Sequence, residues 1–559
     1  MKLNGAQIVY ECLRKEGVDT IFGYPGGVVI PFYDELPKYP DIHHVLVRHE
    51  QGAAHAADGY ARATGKVGVA FATSGPGATN LVTGIATAYS DSIPTVFFTG
   101  QVIRSGIGTD FFQEIDITGI TLPITKHNFL VLDVKDLAKT IKEAFYLARS
   151  GRPGPVLIDI PKDIFGDCCD FIYPVEVDIA GYKPTVKGNP MQIKKASQLI
   201  AKSQKPVILA GNGVIGANAT GDLKELAENT QTPVITTLLG KSAFPENSEL
   251  SFGMLGMHGT VWANKALCES DLVVAIGMRF DDRATGRLSG FAPYAKVIHI
   301  DADPAEIGKN VKVDVPIVGD AKQVLMALNK VVASAEHKDW LCTLTGWKQK
   351  YGTSFEKSDK LLPQYILNVF SEIDQGKSIV VTGVGQHQMW AAMHIKHLLP
   401  RHFISSGGQG TMGFDLPAAL GAQIGCPKDR VVSISGDGSL QMTIQELGTI
   451  MQEKAPVKIF LFNNSYLGMV RQWQYLFYDQ NYMATPLVNP DFSKLAEAYS
   501  IPYACVENKA QVESVIKQAL KSSGPYFVEF RIEKEENVFP MVPPGKDLAD
   551  TLVNEKETC

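Results

Sequence analysis

VVSISGDGSLQMTIQELGTIMQEKAPVKIFLFNN, residues 431–464, contains the pattern from which the fold can be predicted. Two apolar runs without polar alternation, 431–435 and 456–462, are typical of parallel strands buried on both faces. The segment between them predicts a helix from Ser439 onward, because its apolar residues recur at helical spacing. A strand, a helix and a parallel strand form a right-handed βαβ unit, whose two strands end at the same edge of a sheet.

The same alternation of short apolar runs with helical stretches extends over the whole chain. It predicts an α/β fold made of doubly wound parallel sheets. Two stretches without a strand signal, 166–190 and 335–363, are interpreted as linkers because turn-forming or polar residues dominate them. Further apolar runs lie at 67–72, 156–160, 206–210, 273–276, 297–300 and 379–381. The predicted domains are 1–165, 190–330 and 360–540, followed by a tail after Pro544.

The first and third predicted domains share a local pattern, a strand followed by Ser-Gly-X-Gly and a helix. The pattern occurs at 74–77 and again at 435–438. It is consistent with a duplication of one ancestral domain, although so short a pattern also arises by chance.

The composition excludes several classes of protein. With 45% apolar and 20% charged residues, the 559-residue chain is neither disordered, nor collagen-like, nor a coiled coil. The net charge of −6 and the lack of basic runs predict neither a nucleic-acid nor a membrane partner. No apolar run approaches the ~18 residues that a membrane span requires. The composition is typical of a multi-domain protein that handles small molecules.

Cysteine content and the N-terminus bear on the cellular compartment. Eight cysteines without a CxxC pair are typical of a reducing compartment, where thiols remain free. Residues 1–17 predict an amphipathic helix capped by Asn4 rather than a signal peptide. We therefore expect a cytoplasmic protein, or the mature form of an organellar one.

Gly436-Asp437-Gly438 follows the first strand of the quoted stretch, and Asn463-Asn464 follows the second. A GDG sequence by itself predicts only a turn. Because both strands end at one edge of the sheet, Asp437 and Asn464 should lie close together and offer oxygen ligands suited to Mg²⁺. The glycines allow the backbone to approach a diphosphate, whose charge a helix N-terminus favours. This pattern, with 27 positions from Asp437 to Asn464, is typical of thiamine-diphosphate binding.

Thiamine diphosphate also requires a carboxylic acid against its aminopyrimidine ring, so that its C2 proton can leave. Glu50 is the candidate, because it follows an apolar run at 45–47 and opens an alanine-rich helix at 51–64. A glutamate in the first turn of a helix can also serve only to stabilise the helix dipole. Since Glu50 and Asp437 lie in different predicted domains, we expect the site to form between domains.

A third element is the loop GGQGTMGF at 407–414. A methionine in such a loop is most often core filler. In thiamine enzymes, however, a bulky apolar residue lies beneath the two rings of the cofactor and holds it bent. Met412 fits that role, and the Gly410 carbonyl would accept a hydrogen bond from the aminopyrimidine.

Over essentially its whole length the sequence resembles the catalytic large subunit of the acetohydroxyacid synthase (acetolactate synthase) family of thiamine-diphosphate enzymes. The motifs that carry the resemblance are spread over all three predicted domains. They are GYPGG at 23–27, RHEQGAAHAADGYAR at 48–62, GPGATN at 75–80, GTD at 108–110, FQE at 112–114, SGRPGP at 150–155, LGMHG at 255–259, RFDDR at 279–283, GQHQMW at 385–390, LGMVRQW at 467–473 and FPMVPPG at 539–545.

The resemblance implies a role for each matching residue of the thiamine-diphosphate site. Glu50 would activate the cofactor, and Gln113, Gly27 and Met412 would line the reaction pocket. The other implied contacts of thiamine diphosphate are Gln386, His387, Gly410, Gly438, Ser439 and Met469, and the implied Mg²⁺ ligands are Asp437, Asn464 and the Tyr466 carbonyl.

The resemblance also implies FAD in the central domain. The run RFDDR at 279–283, in isolation a solvated charge cluster, matches the segment that holds the flavin in the family. The glycines of LAGNGVIG at 209–216 would allow close approach of a cofactor. The implied FAD contacts are Arg152, Gly211, Gly213, Met257, His258, Arg279, Asp281, Asp301 and Asp320. The implied substrate contacts are Arg279, Trp473, Phe112 and Lys162.

Three residues depart from the family pattern. Phe111 stands where the family usually has alanine, in the wall of the substrate channel. Gln409 replaces a usual leucine and Asp415 a usual glycine, both beside the loop that contacts the pyrimidine. We expect these departures to affect channel width, rate and inhibitor sensitivity rather than the reaction.

The implied reaction is decarboxylation of pyruvate and ligation of the remaining two-carbon unit to a second 2-ketoacid. With pyruvate or 2-ketobutyrate as the acceptor, the product is 2-acetolactate or 2-aceto-2-hydroxybutyrate, a precursor of branched-chain amino acids. The alternative is a flavin-using enzyme of the pyruvate oxidase type. Arg279 with Trp473 favours ligation, because the family uses this pair to bind the second ketoacid.

The resemblance further implies a homodimer or tetramer with active sites at the subunit interface, and it admits a regulatory small subunit. A catalytically inactive binding subunit is disfavoured, because Glu50, Asp437 and Asn464 are all intact.

Overall fold

The computed structural model of the protein describes residues 1–352 and 358–554. Within them lie three six-stranded parallel sheets and one antiparallel pair of short strands. Cys559 and part of the predicted linker, residues 353–357, lie outside the described residues. No described helix combines the length and the apolar character needed to cross a membrane. The seven described cysteines are free thiols.

The first sheet has the strand order β3-β2-β4-β5-β7-β6, and β1 pairs with β8 outside it. Helix α1 is capped by Asn4, whose side chain accepts from the Gln7 backbone N–H while Gln7 bonds back, as the sequence predicts. The strands are β1 Lys2–Asn4, β2 Thr20–Gly23, β3 His43–Leu46, β4 Gly68–Ala72, β5 Thr95–Gln101, β6 His127–Leu130, β7 Val156–Pro161 and β8 Cys168–Asp170. The helices are α1 Gly5–Lys15, α2 Ile30–Glu35, α3 Glu50–Thr64, α4 Pro76–Asn80, α5 Val82–Asp91, α6 Ile117–Thr121, α7 Val134–Arg149 and α8 Lys162–Gly166.

The central sheet has the order β11-β10-β9-β12-β13-β14. Counted within the domain this is 3-2-1-4-5-6, the order of dinucleotide-binding folds, in which ligands bind where the order reverses, between the first and fourth strands. The strands are β9 Pro206–Ala210, β10 Val234–Thr236, β11 Ser251–Met254, β12 Leu272–Ile276, β13 Lys296–Asp301 and β14 Val315–Val318. The helices are α9 Pro190–Lys202, α10 Asn212–Gly216, α11 Thr220–Thr230, α12 Val261–Glu269, α13 Asp282–Thr285, α14 Ala321–Asn329 and α15 Lys338–Lys350.

The third sheet has the order β16-β15-β17-β18-β20-β19. Counted within each domain, the first and third sheets share the order 2-1-3-4-6-5, which favours duplication over chance as the origin of the repeated Ser-Gly-X-Gly pattern. The strands are β15 Ile379–Thr382, β16 Phe403–Ser405, β17 Val431–Gly436, β18 Lys458–Asn463, β19 Tyr503–Val506 and β20 Tyr526–Arg531. The helices are α16 Pro363–Asp374, α17 Gln386–His394, α18 Asp415–Gly425, α19 Asp437–Gln441, α20 Leu447–Glu453, α21 Gly468–Phe477, α22 Phe492–Ala498 and α23 Lys509–Lys521.

The first and third domains pack directly on each other through α3 and α18. A Cβ at Gly59 would lie 2.2 Å from the Ala418 carbonyl oxygen, and one at Gly421 would lie 1.9 Å from that of Ala56. The two helices therefore meet backbone to backbone, which only glycine permits at these two positions. This contact fixes the start of α3, where Glu50 lies, relative to the loop that precedes α18.

The helix predicted from Ser439 is interrupted, and it begins two residues earlier than predicted. Helix α19 ends at Gln441, a 3₁₀ turn follows at Ile444–Glu446, and α20 starts at Leu447. The interruption coincides with Thr443, whose hydroxyl donates to the Gly413 carbonyl across the domain at 2.8 Å. The local pattern indicates one continuous helix, and the tertiary contact of Thr443 accounts for the break in it.

Two predicted connecting segments contain more structure than the sequence indicates. Part of 335–363 forms α15, which packs on the central domain by burying Trp340 and Leu344. Residues 545–554 of the tail also fold back on that domain, with Leu548 buried. The segment 166–190, in contrast, holds only the short strand β8 before α9 begins at its last residue.

Candidate active site

A cavity of about 900 Å³ lies between the carboxyl ends of the strands of the central domain and those of the third domain. Residues 90–92, 149 and 151–153 of the first domain complete its wall. Most of the predicted site residues line it. These are Arg152, Gly213, Met257, His258, Arg279, Asp281, Asp301, Asp320, Gln386, His387, Gly410, Met412, Asp437, Gly438, Ser439, Asn464, Tyr466, Met469 and Trp473.

Asp437 and Asn464 come together at one end of this cavity. Gly436 of β17 and Phe462 of β18 are register partners, so the residues that follow these strands are neighbours. Asp437 is 2% exposed, and burial raises the pKa of its carboxyl to about 6. A carboxylate, an amide oxygen and a backbone carbonyl form an oxygen donor set that fits Mg²⁺. The charge of a divalent cation would offset the cost of burying Asp437 as an anion.

Asn489, which sequence reasoning missed, supports this pair. Its amide Nδ2 donates to Asp437 Oδ2 at 2.7 Å and to Asn463 Oδ1 at 3.0 Å. Gln441 in turn donates to Asn489 Oδ1 at 2.9 Å. These bonds fix the orientation of the Asp437 carboxylate. No local pattern marks Asn489, because it reaches the site from 52 residues further along the chain.

The start of α17 forms the neighbouring wall. Gly385 precedes the helix with a φ of 148°, which an L-residue rarely adopts. His387 Nε2 is buried in the cavity wall and has no hydrogen-bond partner among the described residues. Burial lowers the pKa of His387 to about 3, so its imidazole is neutral. An unpartnered imidazole nitrogen beside glycine-rich backbone at a helix N-terminus fits a phosphate group of the cofactor.

The loop 407–414 lies against these elements. Gly410 and Gly413 have φ values of 59° and 83°, so the loop depends on glycine at both positions. A Cβ at Gly438 would lie 3.4 Å from Met412 Cε, which places the methionine tip beside the residues that follow β17. The loop is attached at Gly413, whose N–H donates to Ser439 Oγ at 2.9 Å and whose carbonyl accepts from Thr443.

Asp415, one of the three departures from the family pattern, lies beneath this attachment point. Its carboxyl is fully buried and accepts the Ser439 hydroxyl at 2.9 Å. Burial raises the pKa of Asp415, while the hydroxyls of Ser435 and Ser439 lower it in part. Asp415 therefore orients the hydroxyl that holds Gly413, and it acts on the loop rather than on the width of a channel.

Replacing Asp415 by alanine should weaken thiamine-diphosphate binding, because the Ser439 hydroxyl loses its acceptor. A net hydrogen bond of about 1 kcal/mol corresponds to a roughly fivefold higher Kd. Asp415→Asn keeps an acceptor oxygen and should bind the cofactor within about twofold of the parent. Titration of apoprotein with thiamine diphosphate and Mg²⁺, followed by tryptophan fluorescence, measures both. Equal loss in the two variants would show that the acceptor has no such role.

The opposite end of the cavity lies at the reversal of strand order between β9 and β12. A Cβ at Gly211 would lie 2.2 Å from the Gly277 carbonyl oxygen, and one at Gly213 would lie 2.6 Å from Gly277 Cα. Gly211, Gly213 and Gly277 thus pack together at the point where a dinucleotide passes close to the backbone. This arrangement fits FAD. Burial raises the pKa of Asp301, which ends β13, to about 6. Gly211 itself lies behind the wall, against Gly277.

Arg279 and Trp473 both line the cavity, but the cation over the indole ring is Arg283. The guanidinium carbon of Arg283 lies 5.8 Å from the centroid of the Trp473 ring. Trp473 also makes an edge contact with Phe477 at 5.9 Å between centroids. Its ring is therefore held from two sides and presents a defined apolar surface.

A separate group of predicted residues lies in the first domain. Glu50 is buried at the start of α3, and its Oε2 accepts from Asn80 Nδ2 at 2.9 Å. Gln113 has a φ of 60° and lies against Gly75. Phe112 is 87% exposed. Among the described residues that line the cavity, none of Gly27, Glu50, Phe112, Gln113 and Lys162 is found. One chain therefore does not bring Glu50 into the cavity of Asp437.

Glu446 and Asp91 are two buried carboxyl groups that sequence reasoning also missed. Glu446 Oε1 accepts from the Arg48 backbone N–H at 3.1 Å, just before α3. A Cβ at Gly52 would lie 2.3 Å from Glu446 Oε1, so this glycine admits the carboxyl group. Asp91 accepts from the backbone of the loop 407–414. Both contacts join domains distant in sequence, which a local pattern does not reveal.

Three family models match the chain, and they follow the three sheets. The N-terminal TPP binding domain of thiamine pyrophosphate enzymes matches residues 3–120, their central domain 193–328, and their C-terminal TPP binding domain 383–530. The fold and the cavity therefore define a thiamine pyrophosphate enzyme, and the α/β fold with three doubly wound domains is confirmed.

Relatives narrow the family further. Acetolactate synthase of Mycobacterium bovis is 51% identical over 97% of this chain and 90% of its own. Acetolactate synthase of Arthrospira platensis is 49% identical over 99% of this chain and 98% of its own. The large subunit of acetolactate synthase of Porphyra purpurea is 47% identical over 98% and 95%. The chain belongs to the acetolactate synthase large-subunit family, as its motifs predict, and the pyruvate oxidase alternative is not supported.

Proposed function

We propose that the protein decarboxylates pyruvate and joins the remaining two-carbon unit to a second 2-ketoacid, in the first common step of branched-chain amino-acid synthesis. The product is 2-acetolactate or 2-aceto-2-hydroxybutyrate. One observation carries the proposal: the candidate oxygen ligands after β17 and β18, the Met412 loop, Arg279 and Trp473 all line one cavity. Bound thiamine diphosphate supplies the nucleophilic carbon and the electron sink for decarboxylation.

In this proposal the third domain binds the charged end of the cofactor. Asp437, Asn464 and the Tyr466 carbonyl hold Mg²⁺, and His387 and Gln386 contact the diphosphate. Gln386 is held by bonds from its Nε2 to Gln472 Oε1 at 2.9 Å and to the Glu536 carbonyl at 3.0 Å. Its carboxamide is thereby oriented before the cofactor binds.

Met412 and the Gly410 carbonyl would contact the pyrimidine end of the cofactor. Glu50 holds a proton at the pyrimidine ring nitrogen. The Asn80 amide donates to Glu50 Oε2, which leaves Oε1 available for that contact. A Cβ at Gly77 would lie 3.2 Å from Glu50 Oε1. Glycine at this position therefore leaves space for a ligand to reach Oε1.

We further propose a homodimer, or a tetramer of such dimers, in which each chain supplies Glu50 to the cavity of its partner. The support is the separation of Glu50 from the Asp437 cavity within one chain. Large apolar side chains exposed in both the first and the third domain also favour a protein partner. These are Tyr24, Ile30, Phe111 and Phe112, and Tyr478, Met483 and Val488.

FAD, in this proposal, binds at the central domain and has a structural role, because the ligation involves no net oxidation. The glycine packing of Gly211, Gly213 and Gly277 supports the site. We also place the enzyme in the cytoplasm, in line with its free cysteines, and infer a regulatory small subunit because relatives are named large subunits.

Reconstitution of the apoprotein tests the function. Pyruvate is added with thiamine diphosphate, Mg²⁺ and FAD, and each component is left out in turn, while acetolactate, acetate and CO₂ are assayed together. We expect acetolactate only when thiamine diphosphate and Mg²⁺ are present, with the flavin remaining oxidised. Acetate as the main product, with stoichiometric reduction of the flavin, would contradict the proposal.

The acceptor preference should depend on Trp473. An extra methylene in an apolar pocket confers about 1–3 kcal/mol, roughly a 10–200-fold preference. Trp473→Leu should erode the preference for 2-ketobutyrate over pyruvate and leave the rate of decarboxylation nearly unchanged. A competition assay that offers both ketoacids measures the ratio of products. Trp347→Leu, which removes a tryptophan that packs on Trp340 in α15, is the control. An unchanged ratio in Trp473→Leu would contradict the assignment.

A further inference from the structure

Asp91 lies where all three domains meet. It ends α5 of the first domain and is 3% exposed. Its Oδ1 accepts from the Gly408 backbone N–H at 2.7 Å, and its Oδ2 accepts from the Gly407 N–H at 3.0 Å. A carboxylate that accepts from consecutive backbone N–H groups holds that backbone in a fixed position. The backbone in question is the start of the loop that carries Gly410 and Met412.

Asp91 also contacts the central domain, through its backbone. Its carbonyl oxygen accepts from Asn212 Nδ2 at 3.2 Å. Asn212 is the first residue of α10 and lies between Gly211 and Gly213, at the reversal of strand order. The same residue of the first domain therefore contacts the glycine-rich turn at one end of the cavity and the Met412 loop at the other.

Arg62 fixes the position of the Asp91 carboxylate. It donates to Asp91 Oδ2 at 2.8 Å and to the Ser405 carbonyl of the third domain at 2.9 Å, and it pairs with the buried Asp58. Arg401 adds a second link, since it donates to the Arg62 carbonyl at 3.1 Å and to the Ile215 carbonyl at 3.0 Å. A charged network that is paired on all sides and buried is rigid.

We propose that Asp91 is a positioning residue that holds the loop 407–410 and, through Asn212, couples the binding of FAD to the binding of thiamine diphosphate. The proposal rests on the proposed FAD site. If FAD orders the turn at Asn212, Asp91 would be ordered with it, and so would the loop 407–410. The loop in turn stabilises the turn when thiamine diphosphate is bound. The coupling must be reciprocal, because it is a free energy shared by the two ligands.

A binding cycle on the apoprotein tests this inference. The Kd of FAD is measured by flavin fluorescence with and without thiamine diphosphate and Mg²⁺, and the Kd of thiamine diphosphate with and without FAD. In the parent we expect each ligand to tighten the other by the same factor, within the roughly 5–150-fold range of coupled sites. In Asp91→Asn the factor should fall to within about twofold of unity, because the amide lacks the charge that holds both N–H groups.

Two further variants make the result specific. Asp58→Asn removes one negative charge from the same buried network, as Asp91→Asn does, but it leaves the bonds between Asp91 and the loop in place. This variant should therefore keep the parent's coupling factor. Gly408→Ala leaves every charge in place, yet its Cβ would lie 2.8 Å from Ser90 Cβ, 3.0 Å from Arg279 Nη2 and 3.1 Å from Asp91 Oδ1, so coupling should be lost. Melting temperatures show that each variant is folded.

The outcomes separate this inference from the proposed function. Coupling that survives in both Asp91→Asn and Gly408→Ala would overturn the role of Asp91. Binding of both ligands to the parent without any coupling would overturn it as well, and would leave the proposed function intact. Failure of the parent to bind FAD at all would overturn the flavin site and, with it, the coupling.

Discussion

Replacing Glu50 by glutamine is expected to lower kcat by roughly 10²–10⁴-fold, the usual contribution of a positioned acid or base. The glutamine keeps the shape of the side chain and the bond from Asn80, but its amide cannot transfer a proton to the pyrimidine ring nitrogen. Cofactor binding should therefore be retained. The direct measurement is deuterium exchange at C2 of bound thiamine diphosphate, followed by NMR after a rapid quench, and it should slow by a similar factor.

The control for this prediction is Glu16→Gln. Glu16 is another buried carboxylate of the first domain, but it pairs with Lys142 and Arg149 on the face opposite the loops that follow the strands of the sheet. It should exchange the C2 proton at the parent rate. If Glu50→Gln also exchanged at the parent rate with the cofactor bound, the role of Glu50 would be wrong.

Asp437→Ala should abolish metal-dependent binding of thiamine diphosphate. The metal would lose its only charged protein ligand, whereas Asn464 and the Tyr466 carbonyl are neutral. The loss of metal affinity should exceed the roughly 10–100-fold that removal of an outer-shell partner costs. Calorimetric titration of apoprotein with thiamine diphosphate, at a fixed excess of Mg²⁺, should show no binding in the range that saturates the parent.

Asp374→Asn is the matched control in the same domain. Its carboxylate is also buried, and it bonds to Ser378 and Arg430 before β15, at the amino edge of the sheet rather than the carboxyl edge. It should bind the cofactor as the parent does. Full activity of Asp437→Ala at moderate excess of thiamine diphosphate would place the metal elsewhere.

The sequence predicts the elements that carry the chemistry well, because their signals are local. Apolar runs mark β17 and β18, and Asp437 and Asn464 directly follow them. Glu50 begins α3 as predicted, since an apolar run before it and the alanine-rich stretch after it mark the boundary. Residues that end a strand or start a helix in a parallel sheet can thus be located from the chain alone.

The residues that act across the fold have no local signal in the sequence. Asn489 bonds to Asp437 across 52 positions, Asp91 to Gly407 across 316, and Glu446 to Arg48 across 398. No local sequence pattern marks any of the three. The break after α19 has the same cause, since Thr443 bonds to Gly413 in a distant loop. Helix α15 is missed because its surroundings are polar, although Trp340 packs it firmly on the central domain.

A mixed dimer of Glu50→Gln and Asp437→Ala chains tests whether the active site is shared between two chains. Chains with Glu50→Gln and chains with Asp437→Ala are given different affinity tags, co-expressed, and purified as mixed dimers. If Glu50 of one chain completes the Asp437 cavity of the other, each mixed dimer has one intact site and one doubly altered site. We predict that it forms acetolactate from pyruvate at about half the parent rate, while either variant alone is inactive. A mixed dimer as inactive as the two single variants would contradict the claim that the site is shared between two chains.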